Sequence, residues 1–340
     1  MAERSRRWDL ARDIMQAEGL RALVVYGDRE ARAGWFFPDC YFSNDRPGSI
    51  VVFIGDEAPR VYTFASLMIA DHIQAALRGD QQWIAPEQLY VGKTGRDVGA
   101  WLAERGLDGS RIGIIGLEPY PPFYFDGAVP ARTLQGMAQA LPKAEFVPVY
   151  KAFFRRASVK SEEELGLVRY AYAIGEAMSE TLRATARPGV SEAELVAAVT
   201  ATCFAMGGYT AEVLLGTGPK YVGWGPPAWQ YRSQAPRILR EGDIVLSEIF
   251  ALYGLMETQH QAPSRSATYI LTSCAPPTSP ARAMRPAWPR CAPAIPSATG
   301  RRHGSAPAGI RRLACASAGP QHQPLRSGRL RHRARHRIAA

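Results

Sequence analysis

The residues best able to do chemistry in this chain sit in one stretch. It runs from Gly242-Asp243-Ile244-Val245-Leu246-Ser247-Glu248 through Ala251 to Gln259. Gly242-Asp243 reads as a turn, the apolar run behind it as a buried strand ending in an acidic residue, and Tyr253-Gly254 as a second turn. A return strand follows, carrying Glu257 and Gln259. A carboxylate at the end of a buried strand can contact a substrate, take up a proton or hold a cation. Glu248, Glu257 and Gln259 can equally be polar groups on a half-solvated sheet with no chemistry at all. Substrate contact and this structural role weigh the same, and metal ligation ranks below both.

Other motifs yield little. Gly216-Thr-Gly-Pro219 lacks the Lys-Ser/Thr pair and following helix of a phosphate loop, so it is expected to be a turn. Gly113 and Gly116 flank Ile-Ile without a glycine-rich helix start, which excludes a dinucleotide fingerprint. The five cysteines form no CxxC pair, so neither a zinc site nor a disulfide framework is indicated. His72 falls within a helical stretch and reads as a structural residue rather than a ligand.

The elements that must position Glu248 and its neighbours are legible. In the first 150 residues, helix-like stretches (4–18, 65–77, 94–105, 134–141) alternate with apolar strands (21–26, 49–54, 60–64, 111–115, 145–150). That pattern predicts a compact α/β domain with a partly parallel sheet. The aromatic-proline stretches at Phe36-Phe-Pro38 and from Pro119 are read as packing loops, with a substrate rim or dimer contact as the less favoured alternative. Two helices follow, each opened by a capping box: Ser161 with Glu164, and Ser191 with Glu194. Arg187-Pro-Gly separates them and Gly207-Gly208 ends the second. Residues 212–215, 237–239, 243–251 and 255–261 then read as strands, those from Arg237 onward belonging to one sheet, which makes this half α+β.

These residues resemble a known family. Residues 156–165, then Arg187-Pro-Gly-Val-Ser-Glu, then Leu239-Arg-Glu-Gly-Asp-Ile-Val-Leu-Ser-Glu are similar to the pita-bread family of aminopeptidase P, prolidase and creatinase. The resemblance covers roughly residues 5–262 and rests on the order and spacing of the motifs rather than on any one of them. It implies a creatinase-like α/β N-terminal domain over residues 1–152 and the first half of an α+β pita-bread domain over 153–262. It also implies a hydrolase acting on Xaa-Pro peptides or related C–N bonds, with a small peptide or small molecule as substrate and a homodimeric assembly. The family's hydrolases hold two divalent cations of manganese, cobalt or zinc type on two Asp, one His and two Glu, a pair that generates hydroxide and polarises the scissile carbonyl. The first Asp position falls at Glu248 and the second, eleven residues on, at Gln259, while an upstream substrate-contacting histidine falls near Tyr231. A carboxamide at 259 is a weak partner for a divalent cation. No metal or other cofactor is therefore expected for this chain, and Tyr231, Glu248, Glu257 and Gln259 are carried as candidate substrate contacts. A metal-free, creatinase-like enzyme or small-molecule binder is the alternative that the family itself offers.

Charge divides the chain. The net charge of +10 arises wholly from residues 261–340, which hold fourteen Arg and no Lys, Asp or Glu; the first 260 residues carry a net of −4. From about Pro263 the sequence is rich in Ala, Arg, Pro and Ser without a sustained period, so residues 263–340 are expected to be a disordered basic tail. The tail could bind nucleic acid or another anionic partner through its arginines. The favoured reading is instead a reading frame lost near Gln261 that truncates the pita-bread domain, with nucleic acid not a partner. The acid-free setting of His303, His322, His332 and His336 agrees with this. With no apolar run near 18 residues and no apolar stretch behind the N-terminal arginines, no membrane partner is expected and the chain is expected to be cytoplasmic.

Overall fold

The computed structural model describes residues 1–28, 37–119, 126–210, 212–220, 222–223 and 225–266. The expected basic tail therefore lies, but for its first four residues, outside the described residues, as does most of the aromatic-proline stretch after Pro119.

Apolar runs in the first half fold into a sheet covered on both faces. Helix α1 (Ala2–Ala17) leads to β1 (Ala22–Tyr26), then α2 (Pro38–Ser43) and a hairpin of β2 (Ile50–Ile54) and β3 (Arg60–Thr63). Next come α3 (Ser66–Leu77), β4 (Leu89–Val91), α4 (Gly95–Glu104), β5 (Arg111–Ile115), α5 (Ala131–Ala140) and β6 (Glu145–Pro148). The strand order is β4-β3-β2-β1-β5-β6, with β1/β2 and β2/β3 antiparallel and the other pairs parallel. Leu23 and Val25 of β1 bury against α1 and α2, while Ala22 and Val24 bury on the opposite side with Val98, Leu102 and Met137 of α4 and α5. Two buried faces explain why β1, β2 and β5 read as continuous apolar runs instead of alternating ones. His72, expected to be structural, is a core residue: its Nε2 lies 2.8 Å from the Ile84 carbonyl and its Nδ1 3.1 Å from the Asp45 carboxylate.

The second half begins with α6 (Tyr150–Ala157), followed by α7 (Glu162–Thr185) and α8 (Glu192–Ala205). Both capping boxes form: the Ser161 and Ser191 hydroxyls accept the Glu164 and Glu194 amides, and each glutamate accepts its serine amide in return. A three-stranded antiparallel sheet follows, β7 (Val213–Gly218), β8 (Asp243–Tyr253) and β9 (Met256–Ser266), in the order β7-β8-β9. Its helix-facing side packs Val213, Leu215, Val245 and Ile249 against Ile174, Met178 and Leu182 of α7 and Leu195 and Val199 of α8.

Two expectations are corrected here. Gly216-Thr217-Gly218 is not a turn but the end of β7, paired with Leu246, Val245 and Ile244. The glycine at 216 serves close approach, since a Cβ there would overlap the Gly223 carbonyl of the covering loop. Residues 237–239 form no strand either. Ile238 makes only an isolated bridge to Ser191, because the chain is committed to placing Arg237 beside the base of β8.

The two halves meet at a buried ion cluster. Glu164 is fully buried at the start of α7 and pairs with Arg6 (2.9 Å) and Arg7 (3.3 Å) of α1. Glu3 pairs with the same two arginines, and the Arg7 guanidinium lies 4.3 Å from the Tyr41 ring centroid. Burial by itself would raise the Glu3 carboxyl, but the hydrogen bonds from Arg6 and Arg7 outweigh it and bring it down to about 2.

Candidate functional site

Glu248 is placed by its strand, and the strand is placed by Asp243. Asp243 is buried and accepts two guanidinium hydrogen bonds from Arg237, at 2.6 and 2.9 Å, and the Arg240 amide at 2.6 Å. Arg237 also donates to the Thr217 hydroxyl, which donates to Glu192, so β7, β8 and α8 are tied together at this corner. The Arg237 hydrogen bonds hold the Asp243 carboxyl below the usual carboxylate range, despite its burial.

From that anchor β8 alternates. Val245, Ser247, Ile249 and Ala251 are buried on the helix side, while Ile244, Leu246, Glu248 and Phe250 are half-buried on the other face. Glu248 stands opposite Leu214 of β7 and Gln261 of β9; Phe250 stands opposite Gln259, and Leu252 opposite Glu257. Paired residues share a face, so Glu248, Gln259 and Gln261 are grouped on the side of the sheet away from α7 and α8. Glu248 and Gln259 are diagonal neighbours, a relation that sets positions about 7–8 Å apart.

Glu257 and Gln259 also reach a cavity of about 410 Å³ at the seam between the two halves. Its other walls include Phe37 and Tyr41 from the first half, Phe153 from α6 and Lys160 from the α6–α7 junction. Lys160 donates to the Ala157 carbonyl at 2.8 Å, and burial lowers the pKa of its ammonium. Aromatic walls with a few polar groups suit a small ligand having both an apolar part and a polar end.

Tyr231 is not part of this grouping. It is 64% exposed and lines a separate recess of about 220 Å³, walled by Val196 and Thr200 of α8 and by Thr210, Glu212 and Val213 leading into β7. Of the four candidate residues, Glu257 and Gln259 thus line the cavity, Glu248 is joined to them only through the pairing of β8 with β9, and Tyr231 lies apart.

Sequence reasoning passed over Gln261, which period-2 counting from Gln259 would have placed on the same face. It also passed over His260, which the same counting sends to the opposite face. His260 packs against Tyr172, ring centroids 4.7 Å apart, and so closely on Gly175 that a Cβ there would overlap its ring. Its Nε2 is buried without a hydrogen-bond partner among the described residues, and burial lowers its pKa against the opposing pull of Glu176. Of the cavity's aromatic residues, Phe37 belongs to the aromatic-proline stretch that the sequence marked chiefly as a packing loop, while Tyr41 and Phe153 had no sequence signal and come from segments more than a hundred residues apart.

Among the described residues, no three His, Cys, Asp or Glu side chains are grouped so as to hold a metal ion. The two-cation centre that the family resemblance implies does not fit this face. Glu248 is the one carboxylate at an expected ligand position, with Glu257 two residues from the other, and the side chains at 259 and 261 offer only neutral carboxamide oxygens. What the face can do is accept a proton or hydrogen bonds at Glu248 and offer carboxamide donors and acceptors beside it. Among the described residues no helix is long and apolar enough to cross a membrane.

No family model and no curated protein matches the chain. Solved structures do. A prolidase from Pyrococcus furiosus matches 76% of this chain and 70% of its own, at 14% identity and a TM-score of 0.53. The dipeptidase PepE from Mycobacterium ulcerans matches 78% of this chain and 65% of its own, at 19% identity and a TM-score of 0.55. An X-Pro aminopeptidase from Thermotoga maritima matches 74% and 63%, at 15% identity and a TM-score of 0.55. The chain therefore spans between 63% and 70% of the length of these three structures. Identities this low speak for architecture alone, and that architecture is the one of prolidases and X-Pro aminopeptidases: a mixed α/β protein of pita-bread type.

Proposed function

We propose that this chain uses an Xaa-Pro peptidase scaffold to take a short peptide, or a related small molecule with a C–N bond, on the β8–β9 face. The observation that carries the reading is the grouping of Glu248, Gln259 and Gln261 on one sheet face, with Gln259 also lining the seam cavity. The cavity receives the apolar side chain of the ligand among Phe37, Tyr41 and Phe153. Lys160 and Gln259 meet its polar groups. Glu248 is the basic group of the site: it takes a proton from a water attacking the scissile carbonyl, and the departing nitrogen takes a proton in turn, giving an acid and an amine. In this reading the described residues act without the family's paired cations.

The test is calorimetric titration with the dipeptide Phe-Pro in the presence of a chelator, on the wild type and on Glu248→Gln combined with Gln259→Ala. Binding by the wild type that weakens at least about tenfold in the double variant, the equivalent of 1.4 kcal/mol, is expected. Equal affinity in the two proteins, or affinity that appears only on adding manganese or cobalt, overturns the reading.

A further inference from the structure

The β8–β9 hairpin turns on two residues, Gly254 and Leu255, with Tyr253 paired to Met256 across the end. Both central residues have positive φ, +54° and +71°. A two-residue turn of this kind suits the twist of a hairpin and is ordinarily built from Asn-Gly or Gly-Gly. Leucine is a poor choice for it, because its Cβ crowds the backbone in the left-handed region. Among the described residues the one other non-glycine residue with positive φ is Asn44, a type that tolerates it. Backbone strain of this sort persists where the surroundings of the residue require it.

What surrounds Leu255 is the seam. Its side chain packs on the core of the first half. The cavity of about 410 Å³ that holds Lys160 and Gln259 has Leu255 and Phe37 in its wall. A second cavity, of about 470 Å³, has the same two residues in its wall. Its other sides include Cys40 and Pro47 from the first half and Gly208, Tyr209 and Leu252 from the second. Leu255 and Phe37 therefore stand between the two cavities. Phe37 is buried in the first core, whereas Leu255 is half-buried on a hairpin tip. Sites for small molecules span about 300–1,000 Å³. The first cavity alone is near the small end of that range, and the two joined would be near the large end.

We propose that Leu255 is a specificity-determining residue: it closes the seam cavity on the side of the second cavity and so limits the ligand to dipeptide size. The inference rests on the peptide reading above for the kind of ligand, while the partition itself does not. The second cavity is mainly apolar and aromatic, so the residue it would admit is an apolar one, joined to the amino side of a Phe seated by Phe37. A leucine kept only to pack the two halves together would make no difference to ligand length.

The test compares the full chain with Leu255→Gly and Leu255→Ala. Both remove the wall, and only the glycine also eases the backbone, so a shared result reports space rather than flexibility. Circular dichroism and urea titration check that each protein is folded. Calorimetry with a chelator present then compares Phe-Pro with Phe-Phe-Pro. The wild type is expected to bind the tripeptide at least about tenfold more weakly than the dipeptide. Both variants are expected to recover about tenfold for the tripeptide, with Phe-Pro changed by less than about threefold. The dye bis-ANS, whose two linked apolar ring systems can occupy one cavity each, is expected to bind the folded variants one to one and at least about tenfold tighter than the wild type. If Phe-Pro binds none of these proteins, the peptide reading falls and the dye still decides the partition. Equal dye affinity in the wild type and both variants overturns the proposal. So does a wild type that binds the two peptides equally, or a tripeptide affinity that neither substitution moves.

Discussion

Asp243 carries a negative charge to the base of β8, where it is buried and held by Arg237 and the Arg240 amide. Its role is positional, since it fixes the strand five residues before Glu248. Replacing it with Asn keeps the shape but weakens hydrogen bonds made to a charged group, and Asp243→Asn is expected to cost about 1–3 kcal/mol at neutral pH. The pH dependence has a definite sign. The folded-state carboxyl lies below its unfolded value, so its contribution is complete above roughly pH 4 and disappears as pH falls through the folded-state value. Urea titrations should therefore show wild type and Asp243→Asn diverging above that pH and converging in acid. Curves that run parallel at every pH would mean that the ion pair contributes nothing.

At the scale of elements, the fit of α7 against β9 decides which face of the return strand is available to a ligand. Gly175 leaves room for the His260 ring, and that seating turns Gln259 and Gln261 to the opposite side. Adding one methyl in Gly175→Ala should force ring or backbone to move, costing about 1–3 kcal/mol as overpacking does. Removing the ring in His260→Ala should make the second change far better tolerated, so a double-mutant cycle is expected to show a favourable coupling of at least about 0.5 kcal/mol. Additive losses would place the histidine elsewhere in solution. Period-2 counting would have given the facing of residues 257–261, but nothing in the local sequence marked Gly175 as the seat of a histidine 85 positions away.

At the scale of the whole molecule, the two halves share one buried ion cluster. Glu164 caps α7 and at the same time balances Arg6 and Arg7 of α1. Glu164→Gln keeps the capping geometry but leaves two arginines with one carboxylate fewer. Removing one partner of a buried ion pair costs about 3–5 kcal/mol, and a loss in that range is expected in the free energy of unfolding by urea. A change below about 0.5 kcal/mol would show the cluster to be open to water. The capping box itself was legible from Ser161 and Glu164, three residues apart. That the same glutamate also meets α1 was not, because its partners lie more than 150 residues earlier in the chain.

By itself the sequence determined the local elements: the alternation of apolar strands and helices, both capping boxes, the break at Pro188-Gly189 and the β8–β9 hairpin. Each follows from side-chain periodicity, cap chemistry or glycine conformation acting over a few residues. It also determined the likeness to the pita-bread scaffold, whose architecture the structure shares. Only the tertiary structure decided that Glu248, Gln259 and Gln261 lie together, that Tyr231 lies apart, and that Phe37, Tyr41, Phe153 and Lys160 wall a cavity beside Glu257. Only it set Leu255 between two cavities at the seam. Such relations depend on strand register and on packing between distant segments. Local propensity fixes where an element begins and ends, but burial against the rest of the chain fixes what each of its faces meets.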